Sequence, residues 1–471
     1  MHGCSNSKIA SILHWLSKMA DHIRHRADEV AEWLHSVIDI RDPPPSTTSV
    51  NSENYKIRSI PSTLLENTSA EDYAKYYEPY VVSIGPIHHG KPHLDDMEKF
   101  KREVVRETVG RVGIPIAEVY AAVEKDLLSA RNCYSPSPSE CYADDRDWCL
   151  MLFLDGCFII GFLIHRDGMN MKKHDRDLVC RDLLLFENQL PFQILHVLAR
   201  AFAFTEDHLL DLTGLFLFNH LLTMSPYTTV PSYIEYDNVR FLTHHTPAPA
   251  HLLQNFRDLW IPSNFREDGD EEEKKEDGAI CEPLSVTELK KMGIRCSSNN
   301  QQYISLSLIQ LKSFVLSGTL FLPRLTIHEW TKTLLLNLVA FEFSSNTQDK
   351  TIGVSSYLNL MNMLIQGEED VKELRARGIL QLKSVSNDQE VVDLLRYITA
   401  RGVPNHRAYG HVKRYIFTYS KSKMFPLRVL FAELKHRYFR GPWSFLLFLA
   451  VLFTVSMTVI QTVLTGIQTY K

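Results

Sequence analysis

Three histidines fall within six residues in the run Ser83-Ile84-Gly85-Pro86-Ile87-His88-His89-Gly90-Lys91-Pro92-His93, with Asp95 and Asp96 just beyond. Imidazoles and carboxylates so spaced could supply metal ligands or a general base. Adjacent histidines rarely serve one metal together, and the flanking Gly85, Pro86, Gly90 and Pro92 mark a tight loop. A structural loop, a protein-binding loop and a catalytic or metal site on His88 and His89 therefore remain three readings of one segment. The pair His244-His245 is a weaker version of the same signal.

A second run, Asp182-Leu183-Leu184-Leu185-Phe186-Glu187-Asn188-Gln189-Leu190-Pro191-Phe192, places three polar residues inside apolar sequence. Pro191 can begin the next helix, because the first turn of a helix needs no N–H there. Glu187, Asn188 and Gln189 can then satisfy backbone groups freed where one helix meets the next. A buried polar hinge is the preferred reading, with a catalytic Glu–Asn–Gln set as the sharper one. No Walker loop, dinucleotide-binding glycine fingerprint, nucleophile elbow or zincin motif is present, so the sequence assigns no catalytic, cofactor-binding or metal-binding residue.

Eight cysteines include Cys133, Cys141, Cys149 and Cys157 at intervals of eight. On a helix each such step turns the side chain by about 80°, so the four cannot share one face. No C-x2-C pair supports a zinc ribbon or a redox motif. Ordinary buried or loop thiols are expected, and a reduced compartment fits them.

The elements that must position these residues are mostly helical. Helices are predicted over 95–109, 114–131, 147–165, 177–187, 191–204, 207–222, 329–343, 355–366 and 388–401. One strand is predicted from Gly318 to Ile327, confined to an edge or a short pairing by Pro323. Ile9, Leu13, Leu16, Ala20, Ile23, Ala27, Val30, Leu34 and Val37 alternate at spacings of four and three, a heptad seam suited to a coiled coil. The seam could pack on the body, or join copies or partners through residues 9–37. The expected organisation is an amphipathic helix (1–42), a linker (43–54), a helical body (55–410) and a basic juxtamembrane segment (411–442). A transmembrane helix (443–464) and a short tail (465–471) follow. A charged, mobile loop is expected at 266–278. The fold class is mainly α with minor β, a helical body plus one C-terminal transmembrane helix.

Residues 443–464 contain no charge, and about 20 apolar residues suffice to cross a bilayer core. Trp443 opens this span and Leu464 closes it, with Trp443 and Tyr470 suited to the two interfaces. Residues 411–440 carry eight basic side chains against one acidic, Glu433, so the body is expected on the cytosolic side. The sequon Asn67-Thr68-Ser69 leaves the opposite orientation open. The basic collar would attract anionic lipid. His2 in place of glycine excludes myristoylation, and no uninterrupted apolar stretch near the N-terminus makes a signal peptide. The whole chain, with 471 residues and a net charge of −5, has the composition of a folded protein and argues against a general nucleic-acid binder. Its mean hydropathy of −0.15 excludes a polytopic membrane protein.

Several motifs in fixed order resemble the plant family called domain of unknown function 247, also catalogued as uncharacterised protein family 0481. They are the Val82–Gly90 run with Met97-Glu98-Lys99-Phe100-Lys101, then Leu154-Asp155-Gly156-Cys157-Phe158-Ile159-Ile160 and Asp182 through Phe192. His208–Leu212, Thr287–Lys290, Leu322–Leu325, Asn337–Glu342 and Ser356–Asn359 follow, then the C-terminal span. The resemblance covers roughly 57–465. Its family-type positions here are Gly85, Pro86, His88, His89, Gly90, Asp155, Gly156, Glu187, Asn188, Gln189 and Pro191. The sequence departs from the family at Gly161, often acidic there, and at Ile87, commonly tyrosine.

The resemblance implies membrane anchoring, on the plasma membrane or an endomembrane, and no catalytic residues. It also implies recognition between proteins, since some grass members are associated with the pollen side of self-incompatibility. The expected function is a membrane-anchored, non-enzymatic interaction module with a protein partner, no cofactor and no nucleic acid. The alternative is an enzyme using His88, His89 and nearby carboxylates.

Overall fold

The structure is a computed structural model. It describes residues 57–469 apart from 67, 136–141, 143, 166–167, 218–248, 262–283, 299–308, 314–316, 345–352, 384–386, 402–408, 422–428 and 431–441. The heptad seam, the linker 43–54, the acidic run 266–278, Asn67, Cys4, Cys141, Cys281 and His244-His245 lie outside the described residues.

The first half is helical: α1 (Ser62–Leu65), α2 (Ala70–Tyr76), α3 (Asp95–Val112), α4 (Ile116–Lys125), α5 (Leu127–Arg131), α6 (Asp145–His165), α7 (Lys173–Asp182), α8 (Phe192–Ala201), α9 (Glu206–Leu217) and α10 (Leu252–Trp260). Helix α6 is its axis. Every residue from Trp148 to Phe162 is buried, because α6 is apolar on all sides and α3, α4, α8 and α9 pack round it. Two glycines permit the closest crossings. A Cβ at Gly156 would stand 2.3 Å from Leu198 Cδ1 on α8, and one at Gly161 would stand 2.8 Å from Val104 Cγ1 on α3.

The second half mixes helices with short strands: α11 (Val286–Lys291), β1 (Ile294–Ser298), β2 (Gln310–Ser313), β3 (Gly318–Leu322), β4 (Leu325–Ile327), α12 (Thr331–Ser344), α13 (Gly353–Leu364), α14 (Glu368–Ala376), β5 (Leu380–Leu382), α15 (Asp388–Thr399) and α16 (Gly410–Lys421). Strand β3 lies between β1, parallel to it, and β2, antiparallel. Strands β4 and β5 form a separate parallel pair, Leu325 opposite Leu380. Thus the strand predicted over Gly318–Ile327 divides at Pro323 and serves two sheets. Proline has no N–H to extend a ladder, so the pairing changes partner there. Strands β1, β2 and β5 were not predicted, and the helix predicted over 177–187 ends at Asp182.

Asn337 of α12 joins the halves. Its Nδ2 donates to the carbonyl of Tyr76 at 2.9 Å, and its Oδ1 accepts from the amide of Phe186 at 2.8 Å. The last helix, α17 (Pro442–Thr469), is different in kind. Its segment Leu446–Thr465 has a mean hydropathy of 2.2 and none of it is buried, whereas the apolar stretch of α6, at 2.0, is 83% buried.

Candidate functional site

From an exposed Tyr80 the chain turns inward without helix or strand, and Val82, Ser83, Ile84 and Gly85 are buried. Backbone polar groups so placed must find partners, since each one left unpaired forfeits its hydration. Side chains from α3, α6 and the joint after α7 supply them. Asp182 Oδ2 accepts from the amides of Tyr80, Val81 and Val82 at 3.0, 2.8 and 3.1 Å. Asn188 Oδ1 accepts from Ile84 N at 2.7 Å, while its Nδ2 donates to the carbonyls of Val82 and Asp182. Asp155 Oδ2, projecting from α6, accepts from Gly85 N at 2.7 Å.

Lys101 of α3 closes the arrangement. Its ammonium is wholly buried and donates to the Ser83 carbonyl at 2.6 Å, and to Asp155 Oδ1 and Glu98 Oε1, each at 2.5 Å. Burial alone would lower this pKa, but the two carboxylates outweigh it and hold the lysine above its ordinary value. Arg181 pairs with the other oxygen of Asp182 at 2.6 Å and stacks beneath the ring of Tyr80.

The polar triplet at the end of the Asp182 run is spent in the same way. Gln189 Nε2 donates to the carbonyls of Leu183 and Leu185, left over where α7 stops, and its Oε1 accepts from Leu253 N on α10. Glu187 accepts from Ile60 N and from the Tyr73 hydroxyl, each at 2.8 Å. Pro191 stands at the N-cap of α8. Gly85 has a φ of +72°, and a Cβ there would lie 2.6 Å from the Gln189 carbonyl oxygen and 2.9 Å from the Tyr134 hydroxyl. Gly90, also left-handed at +77°, has open space. Gly85→Ala is therefore expected to cost about 2–4 kcal/mol, combining left-handed strain with overpacking, and Gly90→Ala only about 1 kcal/mol. Paired thermal melts check the difference.

The structure does not bring the histidines to one point. His88 is buried, its Nε2 lies 4.0 Å from Glu187 Oε2, and neither ring nitrogen has a hydrogen-bond partner among the described residues. His89 faces a different carboxylate, with Nδ1 3.9 Å from Glu98 Oε2. His93 reaches the Pro79 carbonyl at 3.2 Å. Buried Pro86 and His88, with Ile87 half-buried between them, end the base of the loop, and the exposed crest is Gly90, Pro92 and His93, with Lys91 half-buried and paired to Glu78. Among the described residues, no three His, Cys, Asp or Glu side chains are arranged to hold a metal. Cys133, Cys149, Cys157, Cys180 and Cys296 are buried free thiols.

Burial, followed by the positive field of Lys91 and His93, pushes the His88 imidazole down to about 3. Glu187 gives it little counter-charge at acid pH, because burial raises that carboxyl toward its neutral form. An imidazole whose folded pKa is depressed takes up its proton more readily in the unfolded chain, so stability falls as pH drops below about 6.5. The loss between pH 7 and pH 5 should reach about 2 kcal/mol. In urea titrations at the two pH values, His88→Gln should remove that part of the slope.

The sequence carries Lys101, Asp182, Asn337 and Glu342 inside family-type motifs without marking a role for any of them, and nothing in it marks Tyr134. Lys101 left a signal: it occupies the buried stripe of α3 with Val104, Val105 and Val109. Glu342 accepts from Val354 N and Ser355 N at the start of α13 and pairs with Arg257.

The fold and this joint define a mainly helical protein in which the motif residues Asp155, Glu187, Asn188 and Gln189 are committed to its own interior backbone. Residues 57–457 match the family model described as a plant protein of unknown function, DUF247, and the chain belongs to that family. It is 25% identical to the UPF0481 protein At3g47200 of Arabidopsis thaliana over 82% of each chain. It is 24% identical to the putative UPF0481 protein At3g02645 of the same plant, over 93% of this chain and 95% of that one. No solved structure matches the chain.

Proposed function

We propose that this protein is a non-enzymatic interaction module held on a membrane by one span, with its body on the cytosolic side. The observation that carries the anchoring is the contrast between two helices of nearly equal hydropathy. Helix α6 is covered by its neighbours, while Leu446–Thr465 of α17 is bare along its length. Twenty residues at 1.5 Å rise span about 30 Å, the thickness of a hydrocarbon core. The basic excess over 411–440 supports the cytosolic placement. The interaction role draws on the loop, whose base is locked by Asp182, Asn188 and Asp155 and whose crest around Gly90–His93 faces outward. A crest on so rigid a base loses little freedom on binding.

Alkaline carbonate extraction of plant microsomes tests the anchoring. The full chain should stay in the pellet, and a chain with Leu452→Lys and Val455→Lys should move to the supernatant, since each central lysine costs about 2.5–3.5 kcal/mol of insertion. Full-length protein in the supernatant would refute the proposal.

A further inference from the structure

Helix α16 has two unlike faces. Val412, Ile416 and Tyr419 are buried, and the helix packs on β2. Arg414, Thr418 and Lys421 form an exposed stripe at intervals of four and three, flanked by Tyr415 at 44% exposure. Lys413 and Phe417 are half-exposed, and no acidic residue occurs between 410 and 421. Helix α17 begins at Pro442, so only residues 422–441 separate this face from the proposed span, and they add five basic side chains to one acidic.

We infer that the Arg414–Tyr415–Lys421 face of α16 lies on the anionic headgroups of the bilayer that α17 spans, docking the body instead of letting it swing. This inference rests on the anchoring proposed above. Two observations choose lipid as the occupant. The sequence 410–421 carries basic side chains and no Asp or Glu, a charge that complements an anionic leaflet. Its exposed tyrosine combines an apolar ring with a polar tip, the side-chain type that settles at membrane interfaces. Only 20 residues of sequence separate the face from the span, so the face stays within reach of one bilayer, which raises its effective concentration there without any new contact.

The test uses the full chain in nanodiscs of phosphatidylcholine alone or of phosphatidylcholine with phosphatidylserine at three to one. Hydrogen exchange of the peptide covering 410–421 is the readout, with the β3 peptide as a control for fold. Exchange should be at least about fivefold slower in the anionic discs, from roughly 1 kcal/mol per basic residue near the surface. The variant R414E/K421E, with β3 protection unchanged, should lose that difference. Equal exchange in both discs, or no effect of R414E/K421E, overturns the docking while leaving the anchoring intact. A chain that does not co-purify with discs overturns both.

Discussion

Asp182→Ala is expected to unfold the body, or to destabilise it by more than about 4 kcal/mol in a urea titration. Its Oδ2 is the shared acceptor of three successive amides, Tyr80, Val81 and Val82, and because Asp182 and Val82 are fully buried, water cannot take over the whole of that role. Leaving a buried donor unpaired costs about 1–3 kcal/mol. The same change strips the carboxylate from Arg181, which is itself buried. A typical domain is stable by only about 5–15 kcal/mol, so this one side chain governs a large share of the total. Asp182→Asn keeps an acceptor oxygen for the amides and loses only the charge, so it should retain more of the fold than alanine does. Equal stability of Asp182→Ala and the parent would show that the 80–85 segment is not held as described.

Lys101→Met should cost about 3–5 kcal/mol, the penalty of breaking a buried ion pair from one side. It leaves Asp155 wholly buried without its cation and Glu98 close by. Adding Asp155→Asn should recover part of the loss, because the amide oxygen can still accept from Gly85 while the uncompensated charge is gone. The deficit should also depend on pH. Burial already raises the Asp155 carboxyl above its usual range, and removing Lys101 raises it further. A carboxyl with a raised folded pKa binds its proton more tightly in the native state, so stability is lost as pH rises past the unfolded value of about 3.9. The penalty of Lys101→Met should therefore shrink toward acid pH, and guanidinium titrations at pH 4 and pH 7 would show it.

Local pattern was enough for the long elements. The apolar run at 147–165 and the periodic stretch at 95–109 correspond to α6 and α3 because their signals lie within one segment. The Asp182–Phe192 run was legible as a polar joint for the same reason: Gln189 serves carbonyls only four and six residues away. What that joint grips was not legible. Asp182, Asn188 and Asp155 meet amides 70 to 104 positions off, and no local periodicity encodes such a pairing. Strands β1, β2 and β5 were lost for a related reason, being three to five residues long and paired, where parallel, with distant partners. Hydropathy alone also fails to separate α6 from α17, and only the neighbours packed on α6 distinguish the two.

Glycosylation mapping of the full chain in microsomes tests the central claim most directly. A sequon appended beyond Lys471 on a flexible spacer would report one side of the membrane, and the natural Asn67 site the other. With the body in the cytosol, the appended sequon should give a mass shift removable by endoglycosidase, and Asn67 should stay unmodified. A glycan on Asn67 without one on the appended sequon would place the body on the far side of the membrane and contradict it.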